Sequence, residues 1–341
     1  MPKIERKVTF ERCGKKVRRT VRANSEAEFA RKYAEILEAA ERDSIITFEK
    51  VSYEWEEQHF PEIAYGTQVC YTPALRRART TFGDKSITDI EPLEIERLLQ
   101  KLAAQRYSEK TVKTQRCVIS LIFKYAILNG YAERNPAEYV PIPKHLTKTE
   151  RTPPDSETVS IIKKNATAPF GVYPLFLLYT GCRRGEALGI RWSDIDFDNN
   201  IIYIRRNVIF KNNRAIENDF LKTKAGLRAV PLLSPLRVVL EVQKRNSAFV
   251  FPNADGELMS ETQFNNRLRA YKKATGAVFT PHQLRHEFAT VLYEAGVDEG
   301  AAQKIMGHAD IRTTQNIYTH IRQSKIDAAA ALLEKQILKA E

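Results

Sequence analysis

The stretch from Asn135 to Pro154 sets the first limit on how this chain can fold. It carries Pro136, Pro141, Pro143, Pro153 and Pro154 among polar neighbours. Proline lacks the amide hydrogen that a helix or a central strand requires, and its ring locks φ. No single helix or sheet passes through such a segment, so the chain is expected to divide there into two folding units, with residues 141–154 as the linker. At 341 residues and 43% hydrophobic content, each side is long enough to bury its own core.

Ahead of the prolines come basic strands, then helices. Residues 1 to 22 hold nine basic and two acidic side chains. Lys7 to Arg12 and Lys16 to Arg22 alternate in polarity around Cys13-Gly14-Lys15, which predicts a small hairpin. Asn24 or Ser25 then caps a helix to about Asp43, with Phe29, Tyr33, Ile36 and Leu37 on one face. This module, residues 1–43, reads as a nucleic-acid-binding arm with Lys15, Lys16, Arg18 and Arg19 as contact candidates; a solvated basic tail has the same composition. Residues 44–140 follow with helical spacing. Phe48, Val51 and Trp55 form one stripe. A second helix surrounds Leu75 to Ala78, stops near Gly83, and should hold Pro73 early or bend there. Pro92 opens a third helix to Leu102. Ser108 opens a fourth, which buries Val112, Ile119, Ile122 and Ala126 and ends at Gly130. Lys110, Lys113 and Arg116 on its first turns face either a DNA groove or plain solvent.

Behind the prolines, residues 155–341 begin with helices. The runs IIYI and RAVPL within Asp194 to Phe210 and Phe220 to Leu232 predict a small antiparallel sheet before helices resume after Ser260. The expected fold class is multidomain and mainly α, with that sheet in the second domain and a hairpin-plus-helix module at the N-terminus. No apolar run approaches the ~20 residues of a membrane helix, and the opening MPKIERKVTFER has no signal-peptide core, so a soluble, cytoplasmic protein is expected. Cys13, Cys70, Cys117 and Cys182 are far apart and make no metal-ligand spacing, which favours reduced thiols.

Four places in the second half hold chemistry. In Thr180-Gly-Cys-Arg-Arg-Gly-Glu-Ala187, Gly181 turns the chain, Arg183 stands at a helix start, and Glu186 three residues on can fix its guanidinium. The segment Leu221 to Arg228 is a polar turn with Lys222 and Lys224, a reachable place for a general acid. In Thr280-Pro-His-Gln-Leu-Arg-His-Glu-Phe-Ala-Thr290, His282 and Arg285 share one helical face. Met306 to His320 holds His308 and, ten residues later, Tyr318, on a short helix that Thr313-Thr314 can open. Each alone has a bland reading, as a turn histidine, a solvated lysine or a packed aromatic.

Taken in order, Arg183, Lys222, His282-x-x-Arg285, His308 and Tyr318 resemble the catalytic set of the tyrosine recombinase, or phage integrase, family. The strings TGCRRGEALGI, KTKAGLRAVPL, HQLRHEFAT and MGHADIRTTQNIYTH each look like one of its boxes, and SITDIEPLEIERLL with LNGYAERNPAEYV resembles its core-binding domain. The likeness covers most of residues 45–325 and is weaker over the first 43. Lys222 fits the family's lysine motif best, with Lys224 as the alternative register. Glu287 departs from the pattern, standing where relatives often carry a small hydroxyl residue.

The resemblance implies a site-specific recombinase that integrates or excises a mobile element, with a final helix at about 324–339 docking on a neighbouring protomer. Tyr318 would be the nucleophile, forming a 3′-phosphotyrosyl link, and Lys222 the general acid for the leaving 5′ oxygen. Arg183 and Arg285 would grip the phosphate, with Glu186 orienting and His282 and His308 moving protons. The implied partners are double-stranded attachment-site DNA, a tetramer assembled on it, and accessory DNA-bending or directionality proteins, in a bacterial cytoplasm beside the nucleoid and away from any membrane. A chromosome-dimer resolvase of the same family, or a DNA-binding protein that keeps the fold without strand transfer, is the alternative. The residues agree on the chemistry. A tyrosine hydroxyl with an ordinary pKa of about 10 attacks a phosphodiester only where cations stabilise the charge, and guanidinium forks supply that without a metal or other cofactor. A net charge of +12, from 54 Lys and Arg against 42 Asp and Glu, suits a polyanionic partner.

Overall fold

The computed structural model of the protein describes residues 4–12, 15–147, 152–219, 227–308, 310–312, 314, 315, 317–319 and 321. The chain forms two compact units, Met1–Thr149 and Glu150–Glu341.

The first unit opens with strand β1 (Ile4–Arg12) paired antiparallel to β2 (Lys15–Ala23), with Thr9 opposite Arg18 and Val8 opposite Arg19. Helix α1 (Glu26–Ser44) starts where the capping residues predict, Glu28 N donating to Ser25 Oγ at 3.2 Å and Asn24 N to the Glu28 carboxylate at 2.8 Å. Phe29, Tyr33 and Ile36 close on Ile4, Val8, Val21 and Ala23 in a small core. Because side chains alternate along a strand, Lys7, Lys16, Arg18 and Arg22 share the opposite face of the hairpin, while Arg19 falls on the side of Val8.

Four helices follow: α2 (Phe48–His59), α3 (Tyr65–Phe82), α4 (Pro92–Ala104) and α5 (Glu109–Leu128). They enclose a separate core in which Phe48, Val51, Phe82, Leu99, Ile119 and Ile122 are fully buried. Ser108 caps α5 as expected, accepting from Thr111 N at 3.3 Å. Pro73, expected either early in its helix or at a bend, lies inside α3, which begins at Tyr65. Its N-cap, Ala64, makes no side-chain bond, so the sequence carries no start signal there. Buried Gln115 ties α5 to α3, donating to Ala74 O at 3.0 Å and accepting from Arg77 Nε at 2.8 Å.

Much of the proline-rich segment is strapped to this unit. Ala137 and Val140 are buried in its core, Arg116 Nη1 donates to Val140 O at 2.8 Å, and Glu109 N donates to Thr147 O at 3.1 Å. The prolines prevent helix, yet the apolar residues between them still find α5.

The second unit is built around α7 (Val172–Thr180), apolar on every side and almost wholly buried. It packs on α6 (Ser156–Lys164), α9 (Ser234–Glu241) and α11 (Pro281–Glu294), with α10 (Glu261–Thr275) contributing Phe264, Leu268 and Tyr271 to the same core. A three-stranded antiparallel sheet runs in the order β3 (Ile195–Asp196), β4 (Ile201–Ile204), β7 (Arg228–Pro231). A second hairpin, β5 (Arg206–Lys211) with β6 (Arg214–Asp219), stands between β4 and β7 in the chain. Its second strand was not expected from RAIEND. The signal lies in the turn: Asn212 and Asn213 both have positive φ, 49° and 65°, the requirement of a tight two-residue hairpin.

Asn213 also seats the hairpin on α10, accepting at Oδ1 from Thr262 N and Thr262 Oγ1, both at 2.9 Å. Replacing it with alanine removes this external cap and places a Cβ residue at positive φ, and should cost about 1–2 kcal/mol in urea unfolding. Asn213→Gly, which keeps the backbone conformation, should cost less; equal losses for the two would mean that the turn conformation carries no part of the effect.

Candidate active site

Gly181 ends α7 with φ of 62°. A Cβ there would stand 2.4 Å from Phe288 Cδ1 and 2.9 Å from Met306 Sδ, so glycine is required both by the turn and by the closeness of α11. The chain then enters the short α8 (Arg184–Leu188), with Arg183 just before it. Glu186, fully buried, accepts from Arg183 N at 2.8 Å and from Arg183 Nη1 at 2.7 Å. The spacing that predicted this pair therefore delivers it.

The other half of the site is the end of α12 (Glu299–Met306). Gly307, at φ 64°, closes the helix: its N–H reaches Lys304 O at 3.2 Å, and His308 N reaches Gln303 O at 3.2 Å. That closure leaves the next three carbonyls without helical partners, and three guanidinium groups take them in turn. Arg228 Nε donates to Ile305 O at 2.9 Å, Arg285 Nη2 to Met306 O at 2.6 Å, and Arg183 Nη2 to Gly307 O at 3.0 Å. Arg285 also donates to Gly181 O at 2.6 Å, tying α11 to the α7 turn. Arg228 closes the ring, donating to the two Glu186 oxygens at 3.2 and 2.6 Å. Arg228 was not singled out from the sequence, although it ends the KTKAGLR string.

Charge in this ring is unbalanced: three guanidiniums surround one carboxylate. Burial opposes ionisation of Glu186, but Arg228 and then Arg183 outweigh it and hold its carboxyl down to about 2. Arg285 is pushed down to about 10, by burial first and then by the charge of Arg183, and remains protonated at neutral pH. His308, with Nδ1 2.8 Å from Thr314 Oγ1, is pushed down to about 4, by burial first and then by Arg285, Arg183 and Arg228, so its ring is neutral. About half of the Arg183 side chain remains exposed (47%), presenting cationic edge to an incoming group.

Tyr318 makes a different hydrogen bond, in an apolar cluster that shares Met306 with this ring. It is 4% exposed among Phe288, Ala289, Leu292, Ala302 and Met306, edge-on to Tyr293 at 5.1 Å, and its hydroxyl donates to Val297 O at 3.3 Å. Burial, then Glu299 and Asp298, raise its pKa. The helix carrying it begins at Ile311, ahead of the threonines, with Asp310 Oδ1 accepting from Arg312 N at 2.9 Å. Asp310 is thus the cap, and Thr314 is buried against His308 instead. His282 is exposed on the first turn of α11, three residues before Arg285. Glu287, also on α11, has its carboxyl raised by burial first and then by Glu294. Lys222, Lys224 and the expected helix at 324–339 lie outside the described residues. Of the DNA-contact candidates, Lys16, Arg18, Arg19 and Lys110 are exposed; Lys113 pairs with Glu109 at 2.5 Å, and Arg116 is half-used in holding Val140.

A partly exposed cluster of guanidiniums with one carboxylate, on a basic and mainly helical chain, is suited to bind a polyanion. The family is settled by comparison: the phage integrase family model matches residues 157–325 and the phage integrase central domain matches residues 48–140. A tyrosine recombinase XerC-like protein of Caldanaerobacter subterraneus subsp. tengcongensis is 33% identical over 267 residues, 69% of this chain and 68% of that protein. The chain belongs to the phage integrase family, the tyrosine recombinases that cleave and rejoin DNA. The transposase of transposon Tn916 from Enterococcus faecalis is 26% identical over 281 residues, 74% of this chain and 68% of that protein. In fold, the chain is similar to the Tn1549 transposon integrase in complex with circular-intermediate DNA, with a TM-score of 0.68 at 19% identity over 83% of this chain and 99% of that one. It is similar also to a lambda integrase tetramer bound to a Holliday junction, with a TM-score of 0.63 at 19% identity over 91% of each chain.

The depressed His308 titration has a consequence for stability. Between its ordinary value of 6.5 and about 4, the unfolded chain binds a proton that the folded one refuses, so this residue's contribution to stability falls as pH is lowered through that window. An NMR titration of the His308 ring should give a midpoint near 4, and saturating sulfate should raise it by neutralising the surrounding guanidiniums. A midpoint near 6.5 that ignores sulfate would contradict the charge assignment.

Proposed function

We propose that this recombinase is the integrase of a mobile element and that Arg183, Arg285 and His308 bind the scissile phosphate. The observation that carries the reading is the surplus of buried and half-buried guanidinium charge around Glu186, which a phosphodiester would neutralise. Tyr318 Oη then attacks phosphorus and gives up its proton to a base, for which His282 and neutral His308 are the candidates. The bond from phosphorus to the 5′ oxygen breaks as Lys222 protonates that oxygen, leaving a 3′-phosphotyrosyl link and a free 5′-hydroxyl. The link preserves the phosphodiester energy. A 5′-hydroxyl from a second strand reverses the step and rejoins the DNA with no change of oxidation state and no nucleotide cofactor.

Tyr318 cannot attack while its hydroxyl is bonded to Val297 and its ring is packed on Tyr293. Leaving that pocket also removes the burial that raises its pKa. Assembly on DNA, as in the lambda integrase tetramer on a Holliday junction, is the event to which we assign this release.

The hairpin and α1 support the mobile-element reading over a chromosome-dimer resolvase. They form a module with its own core and with Lys7, Lys16, Arg18 and Arg22 on one strand face, suited to a second class of DNA site. Bridging two site classes requires bent DNA, which is where accessory bending and directionality proteins enter.

On a nicked duplex carrying the junction of the excised circle, the wild-type protein should trap a covalent adduct and Tyr318→Phe none. Trapping by Tyr318→Phe would remove the nucleophile assignment, and absence of any adduct with wild type would favour the DNA-binding reading without strand transfer. Deleting residues 1–43 should leave this trapping intact and abolish integration of full attachment sites in a plasmid assay; undiminished integration would discard the arm assignment.

A further inference from the structure

Arg228 stands at the first position of β7 with a side chain 5% exposed. It belongs to none of the positions to which the proposed chemistry assigns a step, yet its side-chain bonds join elements distant in sequence, among them two to Glu186 in α8 and one to the carbonyl of Ile305 in α12. Its guanidinium also fills the space beside Gly307, where a Cβ would come within 2.8 Å of Arg228 Nη1. Glu186 in turn shares its oxygens between Arg228 and Arg183.

That sharing decides where Arg183 points. A buried carboxylate needs its charge and lone pairs satisfied. With Arg228 in place, Glu186 draws only one side-chain nitrogen of Arg183 onto itself, at 2.7 Å. Without it, Arg183 is the remaining cation bonded to that carboxylate, and a two-pronged grip between them becomes the favoured arrangement. The donors so consumed are those that face an incoming phosphate. At the same time the Ile305 carbonyl loses its donor, which loosens the turn that carries Gly307 and His308.

Resting on the recombinase reading above, we propose that Arg228 is a positioning residue for DNA cleavage: it holds the Glu186 carboxylate and the end of α12 together so that Arg183, Arg285 and His308 converge on one phosphate. Lysine cannot replace it, since a single ammonium does not span both Glu186 oxygens and the Ile305 carbonyl.

The test uses the full chain on the nicked circle-junction duplex, in single-turnover trapping, with thermal unfolding recorded for each variant. Arg228→Lys, which keeps the buried charge but not the fork, should melt below wild type yet stay folded at the assay temperature, bind the duplex within a few-fold of wild type, and trap on the order of 100-fold more slowly, the loss expected of small misplacement in a phosphate site. Because Arg228 acts through Glu186, the deficits of Arg228→Lys and Glu186→Gln should not multiply in the double variant. Arg228→Met removes one of the cations that hold His308 neutral, so the acid limb of its trapping rate should move to higher pH. Wild-type trapping by Arg228→Lys, or deficits that multiply, overturns the proposal. Should Arg228→Met fail to fold, the lysine variant and its double carry the decision. Wild type that traps nothing defeats the recombinase reading and this inference with it, whereas normal wild-type trapping with an unaffected Arg228→Lys defeats the inference alone.

Discussion

Three consecutive carbonyls at the end of one eight-residue helix organise the second unit of this protein. A helix normally leaves its last carbonyls to water or to a cap. Here the turn at Gly307 satisfies Gln303 and Lys304, and Arg228, Arg285 and Arg183 take Ile305, Met306 and Gly307. The helix end is also the negative pole of its dipole, so it gathers cations that would otherwise repel one another. Each arginine comes from a different part of the chain, one beside α8, one at the start of β7 and one in α11. The turn is therefore the place where sequence-distant elements acquire a common geometry.

Glu186 completes the arrangement, because its carboxylate offsets part of the cost of gathering buried guanidiniums. One carboxylate makes the cluster stable, and being only one, it leaves the pocket short of negative charge. Stability and appetite for an anion arise from the same imbalance. Tyr318 sits instead among apolar residues of α11 and α12, where burial and then the acids Glu299 and Asp298 raise its pKa.

Local rules of capping and alternation made much of this legible beforehand. Ser25, Ser108 and Gly181 mark ends that the structure keeps, and the Arg183–Glu186 pair follows from spacing alone. Reading failed where the decisive partner is remote. Nothing local marks the start of α3, which has no side-chain cap, and Ile142 and Leu146, within the segment expected to be linker, pack against the core of the first unit. Arg228 looked like any strand arginine, and nothing within a few residues of it announces Glu186, 42 positions earlier. The strand β6 is different: its Asn212-Asn213 turn was a local signal, outweighed by the polar look of RAIEND.

The ring at α12 also fixes the electrical character of the pocket over a wide range of acidity. Its guanidiniums hold the Glu186 carboxyl down to about 2, while burial and neighbouring cations push His308 down to about 4 and Arg285 down to about 10. Across the several pH units between the last two, none of these groups changes state. With no anion bound, these three groups thus form a fixed pattern of charge rather than a buffer. Sensitivity to proton concentration near neutrality can then enter when an anion offsets the guanidiniums that hold the His308 ring neutral.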